Sequence, residues 1–268
     1  MSKKSSIQTE KVNEHIVRWL KSYANKANVN GFVVGISGGV DSAVTSTLCA
    51  QTGFPTLCVE MPIHQANSQV NRAKEHIDQL KKRFPNVSSI ESNLTSIYDT
   101  FKAEMPESND ETKYHLALAN TRARLRMTTL YYHAGIHGYL VAGTGNKVED
   151  FGVGFYTKYG DGGVDISPIA DLMKSDVYAL GKYLTIPDSI QTAAPTDGLF
   201  GDNRTDEDQL GASYDELEWA MLENEKEMLG SNYSERENEV LKIFYKLNNS
   251  NKHKMLPIPI CIIPMELK

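Results

Sequence analysis

The chain has 268 residues, 40% of them hydrophobic and 23% charged, enough to bury a sizeable core as one large domain. A formal net charge of -6 argues against a partner held by bulk attraction to nucleic-acid phosphates. Cys49, Cys58 and Cys261 are odd in number and lack C-x-x-C spacing, so neither a disulfide framework nor a structural zinc site is indicated.

The opening Met1-Ser-Lys-Lys-Ser-Ser has no apolar core segment, so no signal peptide is expected and the cytoplasm is the default compartment. Periodicity predicts a first helix over 9–27, with Ile16, Trp19, Leu20 and Tyr23 on one face. Next comes Gly31-Phe-Val-Val-Gly-Ile-Ser-Gly-Gly-Val-Asp-Ser42, which reads as a buried strand over 32–36, a glycine turn and a helix starting near Asp41. Backbone N–H groups of such a turn and the positive helix end converge on one point, which is an anion site that needs no lysine. A Cβ at Gly38 or Gly39 would keep the backbone away from phosphate oxygens. The spacing fits neither G-x-x-x-x-G-K-[ST] nor G-x-G-x-x-G.

A second apolar run over 56–61 ends at Pro62, and a polar helix follows over 65–84. His64, between them, is read as a solvated loop residue. A weaker strand over 86–94, a short helix over 95–105 and a loop over 105–111 lead to a long helix over 113–133. Its spacing aligns Asn120, Arg124, Met127 and Tyr131, with Arg122 and Arg126 on another side as a solvated pair. Asn120 and Arg124 form a polar stripe able to serve a phosphate or carboxylate.

The run Tyr139-Leu-Val-Ala142 is a further strand, delivering Gly143-Thr144-Gly145-Asn146-Lys147-Val148-Glu149-Asp150. The glycine- and aromatic-rich stretch 151–164 reads as a functional loop. Asp165-Ile-Ser-Pro-Ile169 is a short strand or extended segment, and 170–183 a helix. Residues 194–211 have no period and are expected to close as a flexible lid over a nucleotide. Helices over 214–229 and 234–247 precede an apolar tail, 255–264, whose three prolines rule out a membrane span. That tail is expected to pack on the body or across a dimer interface. Alternating short apolar runs and helices point to an α/β fold with a parallel sheet flanked by helices, and to ligands at the carboxyl ends of its strands.

Ser37-Gly-Gly-Val-Asp-Ser42 resembles the pyrophosphate loop of the N-type ATP pyrophosphatases. With Asn120-Thr-Arg-Ala-Arg-Leu-Arg-Met127, Gly143-Thr144 to Glu149, Thr157-Lys-Tyr-Gly-Asp-Gly-Gly-Val-Asp165, Lys174, Pro195-Thr-Asp-Gly-Leu199 and His253-Lys254, most of the chain resembles the ammonia-dependent NAD synthetases. The resemblance implies a single domain over 1–268 with an adenine-nucleotide alpha-hydrolase-like, Rossmann-like fold. It implies ATP-dependent amidation of deamido-NAD by ammonia, giving NAD, AMP and pyrophosphate through an adenylated nicotinate carboxylate. It places ATP against Gly35, Ile36, Ser37, Gly38, Gly39, Val40, Asp41, Ser42, Thr144, Lys174 and Thr196, and Mg²⁺ on Asp41 and Glu149. Deamido-NAD falls to Asn120, Arg124, Lys158, Asp161, Asp165, His253 and Lys254, with Ser37, Asp161 and Lys174 as catalytic candidates. It also implies a homodimer, with free ammonia or a separate glutaminase subunit as the nitrogen source, while the net charge and the proline-broken tail argue against nucleic acid and membrane as partners. The sequence departs from many bacterial members at Gly145, where they carry Asp. Two rivals are a tRNA-thiolating ATP pyrophosphatase, which would want catalytic cysteines and a basic face, and a nucleotide-binding module without catalysis.

Overall fold

The structure, a computed structural model, describes residues 7–196, 205–226 and 232–268. The first half runs α1 (Thr9–Ala27), β1 (Gly31–Gly35), α2 (Val40–Gln51), β2 (Thr56–Glu60), α3 (Asn67–Arg83), β3 (Val87–Glu91), α4 (Thr95–Glu104), α5 (Glu111–His137) and β4 (Tyr139–Val141). A single π-helical turn, Val148–Val153, precedes α6 (Lys174–Tyr183), α7 (Asp188–Gln191), α8 (Asp206–Leu210), α9 (Tyr214–Asn224) and α10 (Glu235–Met255). The strands form one parallel sheet in the order β3-β2-β1-β4, with Gly35 beside Val59 and Phe32 beside Leu140. The chain winds outward from β1 to β2 and β3, then returns to β1's other side through β4. The crevice where strand order reverses, at the carboxyl ends of β1 and β4, is where open α/β sheets bind ligands.

Both faces of the sheet are covered, which explains the continuous apolar runs of its central strands. Phe32 and Val34 enter a core with Leu20, Val44, Leu48, Val177 and Leu180, between the sheet and α1, α2 and α6. Val33 alternates to the other face, with Leu57, Val59, Tyr98, Leu118 and Val141 under α4 and α5. A third cluster joins Val148 and Val153 to Leu217, Met221, Val240 and Phe244 of α9 and α10.

Several boundaries differ from expectation. In α1, Ile16 and Leu20 are buried as expected, but Trp19 and Tyr23 are exposed and pack on each other with ring centroids 5.6 Å apart. Helix α5 is longer at both ends, because Asp110 accepts the Lys113 N–H at 3.1 Å and Gly138 closes the far end with φ 66°. Helix α6 begins at Lys174 rather than 170. Within the expected lid, 206–210 is helical, capped reciprocally by Thr205 and Asp208. Residues 197–204, with Asp197, Gly198 and Leu199 of the family motif, lie outside the described residues, as do Met1 to Ser6 and the end of the 214–229 prediction. Helix α10 runs on to Met255 rather than ending at 247, so His253 and Lys254 are helical. Among the described residues, no helix is long and apolar enough to cross a membrane. The tail beyond α10 does not pack on the body: Ile260 and Ile262 are 82% and 83% exposed.

Candidate active site

The turn after β1 is shaped by its glycines and serines. Gly38 has φ +82°, and a Cβ there would strike the Gln69 carbonyl oxygen, so both conformation and space require glycine. Ser37 Oγ accepts the Gly39 N–H at 3.2 Å and lies 3.1 Å from Ser42 Oγ, which donates to the Gly39 carbonyl at 3.0 Å. These bonds fix the loop at the start of α2 and place Asp41 in its first turn.

The second half of the site arrives from β4. Asn146 is fully buried; its Nδ2 donates to Asp41 Oδ1 at 3.0 Å, while its Oδ1 accepts the N–H groups of Val148 and Glu149. That one amide aims Asp41 and starts the π-turn carrying Glu149. Between the two carboxylates sits Lys174, whose Nζ donates to Asp41 Oδ2 at 2.6 Å and to Glu149 Oε1 at 3.2 Å. Burial works against the ammonium, and the two carboxylates overcome it, holding Lys174 above the ordinary lysine range. Tyr214 closes the cluster: its hydroxyl donates to Glu149 Oε1 at 2.6 Å and to Asp206 Oδ2 at 3.2 Å, and its ring lies 4.7 Å beneath the Lys174 ammonium. Burial, then Glu149, pushes the phenol up and keeps it a donor.

Of these groups Asp41, Glu149, Lys174 and Asp206 line a cavity of ≈ 280 Å³, together with the rest of residues 35–42, Thr144, Asp161 and Thr196. The predicted nucleotide and metal residues are thus gathered in one place. The predicted deamido-NAD residues are not: apart from Asp161 they stand outside this cavity, around the 154–165 segment. Asn120 Oδ1 accepts from Thr157 Oγ1 at 2.6 Å, and Asp161 Oδ1 accepts the Thr157 N–H at 2.9 Å. Arg124 donates to the Lys158 carbonyl, Lys158 to the His253 carbonyl, and Lys254 to the carbonyls of Gly154 and Tyr156. Asp165 accepts from Tyr131 Oη at 2.9 Å and from the Val141 N–H at 2.8 Å, so here it ties the loop to β4. Although Asp161 is exposed as a residue, desolvation of its carboxyl group pushes it up to about 6. Asp150, desolvated and beside Glu149, is pushed up to about 7, and its carboxylate fills the space a side chain at Gly145 would need.

Arg122 and Arg126 do not form a solvated pair. Arg122 is buried, with its guanidinium 4.7 Å above the Tyr98 ring. Arg126 donates to the Met61 carbonyl at 3.1 Å and to Gln65 Oε1 at 2.8 Å, and lines the cavity. Sequence reasoning also missed Asn146, Tyr214, Asp206, Glu60 and Arg72, whose Nε donates to the Gly38 carbonyl at 3.1 Å. The Tyr214 neighbourhood had one signal, the Ser213–Glu216 capping box that anchors α9 beneath the site. His64 pairs with Asp99 at 2.7 Å on the surface, as a solvated loop histidine should.

Two hard carboxylates already sharing one cation suit a divalent ion whose remaining ligands come from phosphates and water. No group of three or more His, Cys, Asp or Glu able to hold a metal by itself occurs among the described residues.

The family described as NAD synthase matches residues 12–257. An NH(3)-dependent NAD(+) synthetase of Carboxydothermus hydrogenoformans is 39% identical, over 82% of this chain and 88% of that protein. One of Methanosarcina acetivorans is 36% identical, over 93% of this chain and 98% of the relative. Among solved structures, the NMN synthetase of Francisella tularensis superposes with a TM-score of 0.82 at 30% identity, covering 97% of this chain and all of the other.

Proposed function

Because the chain belongs to the NAD synthase family, we infer that it is a ligase making NAD by ATP-dependent amidation of deamido-NAD with ammonia. The observation that carries this reading is the Asp41–Lys174–Glu149 cluster beside the glycine loop, in one cavity at the sheet's switch point. The loop N–H groups and the start of α2 receive the β- and γ-phosphates, leaving the α-phosphorus open. The nicotinate carboxylate oxygen attacks that phosphorus, pyrophosphate leaves with the electrons of the broken P–O bond, and the carboxylate becomes an acyl adenylate. Ammonia then adds to the acyl carbon, AMP departs with the bonding pair, and the nitrogen loses a proton. Asp161, its pKa raised toward neutral pH, is suited to hold ammonium and take its proton before the attack, the later proton leaving to solvent. Lys174 neutralises charge on the leaving pyrophosphate. Asp41 and Glu149 would hold Mg²⁺, which supplies charge neutralisation on the triphosphate when bound.

The chain acts as one domain and, we propose, as a homodimer in the cytoplasm, with Asn120, Arg124, Lys158, Asp165, His253 and Lys254 facing deamido-NAD. The high superposition with an NMN synthetase favours a second reading, in which nicotinate mononucleotide is the acceptor. The test is an assay with ATP, Mg²⁺, ammonium and either acceptor, following AMP, pyrophosphate and amide together, with glutamine in place of ammonium as a control. Stoichiometric NAD and AMP from deamido-NAD support the first reading, and faster turnover of the mononucleotide supports the second. ADP, or no product, overturns both. Asp41→Asn should lower turnover about 10²–10³-fold while the thermal midpoint stays near wild type; wild-type activity in that variant removes the metal assignment.

A further inference from the structure

The end of β2 presents a carboxylate that the chemistry above does not use. Glu60 is the last residue of that strand, paired in register with Glu91 at the end of β3, and both line the cavity. Glu91 is neutralised by Lys74 at 3.2 Å. Glu60 is 9% exposed, and its Oε1 is buried without a hydrogen-bond partner. Burial raises its pKa, which marks a carboxylate short of the partners that would stabilise its charge. A buried, unmatched acceptor costs stability, and a side chain that lines a cavity can turn such an acceptor toward a donor that a ligand supplies.

Position defines that ligand. Gly35 sits beside Val59, and the Ile36 N–H donates to the Val59 carbonyl at 2.9 Å, so Glu60 stands one strand over from the phosphate loop. A triphosphate on that loop leaves only the nucleoside to extend toward β2. A carboxylate repels phosphate groups, so Glu60 excludes a second phosphate-bearing moiety from this end. It welcomes uncharged donors, and the nucleoside of ATP has two kinds, ribose hydroxyls and the exocyclic amine. The neighbouring wall, Met61, Pro62 and Val70, is apolar enough to stack on a base.

We propose that Glu60 is a specificity-determining residue for ATP, accepting hydrogen bonds from its nucleoside donors. The inference rests on the ATP-dependent reading given above. The test uses the full chain with Glu60→Leu and the near-isosteric Glu60→Gln, and reads the Kd of ATP directly, the KM values of ATP and deamido-NAD, and the thermal midpoint. Glu60→Leu should weaken ATP about 10- to 100-fold, the size of a lost hydrogen bond to a charged acceptor, with KM for deamido-NAD within twofold and the midpoint unchanged or higher. Glu60→Gln, which retains an acceptor oxygen, should fall between. The 2′-deoxy and 3′-deoxy triphosphates and purine riboside triphosphate then separate ribose from amine: the analogue lacking the true donor binds wild type weakly and loses nothing further in Glu60→Leu. Unchanged ATP affinity in Glu60→Leu, or analogues that all bind wild type like ATP, overturns the proposal. A wild-type chain that binds ATP but makes no amide leaves Glu60 standing and removes the reaction assignment instead.

Discussion

The two ring nitrogens of His76 have opposite fates. Nε2 lies 2.9 Å from Ser46 Oγ, and Nδ1 is buried without a partner. Burial, assisted by Arg83, lowers the imidazole to about 4. In the unfolded chain it takes up a proton near 6.5, so the folded protein binds fewer protons between these values, and stability falls as pH drops from about 6.5 to about 4. The full loss is about 3 kcal/mol. Urea midpoints at pH 7 and pH 4.5 should separate widely for wild type and less for His76→Leu; equal separations would show that other groups set the acid limb. Tyr214 acts on Glu149 rather than on substrate. Tyr214→Phe should raise the Mg²⁺ concentration needed for half-maximal turnover by about tenfold, as for other residues that orient metal ligands, whereas a purely structural role would lower the midpoint and leave the Mg²⁺ dependence in place.

At the scale of elements, the strand-loop-helix of residues 31–51 was legible because its constraints are local. An apolar run, two glycines and a small-residue helix leave one arrangement for Gly38 at φ +82°. Helix α5 was not legible in the same way. Its Arg122 is buried over Tyr98 and its Arg126 reaches back to Met61, because α4, the end of β2 and the 154–163 segment enclose sides of the helix that periodicity assigns to water. The contacts of Asp41 with Asn146 and with Lys174 were equally hidden, since they join residues 105 and 133 positions apart. Resemblance to a family could name Asp41 and Lys174 but not their mutual contact. Helix α10 shows the local case again: Ser234 accepts the Glu237 N–H and Glu237 answers the Ser234 N–H, a box written in the sequence. Ser234→Ala should cost about 1 kcal/mol, read as a lower urea midpoint, and an unchanged midpoint would show that α10 is held by packing alone.

For the whole molecule, the apolar end is one feature its own fold leaves uncovered. Leu256, Ile258, Ile260, Ile262 and Met265 are all exposed, an arrangement that water disfavours and a second copy would cover. If the homodimer forms there, a chain ending at Leu256 should sediment as a monomer with its thermal midpoint little changed; a dimer surviving the truncation would move the interface elsewhere. The lysine between the two carboxylates has a different kind of consequence. A pocket whose two carboxylates already share an ammonium has a cation in place, so loading it with a divalent ion would be an exchange of partners and not the filling of a void. If Asp41 and Glu149 hold Mg²⁺, the free ion offered alone would have to part them from Lys174, whose remaining carboxylate neighbour is Asp206, while a triphosphate bound with the ion would give the lysine a new anionic partner. The ion and the nucleotide should therefore bind as one event. Calorimetric titration with Mg²⁺ alone should show no saturable heat in the millimolar range, and the same titration with a non-hydrolysable ATP analogue present should show one site.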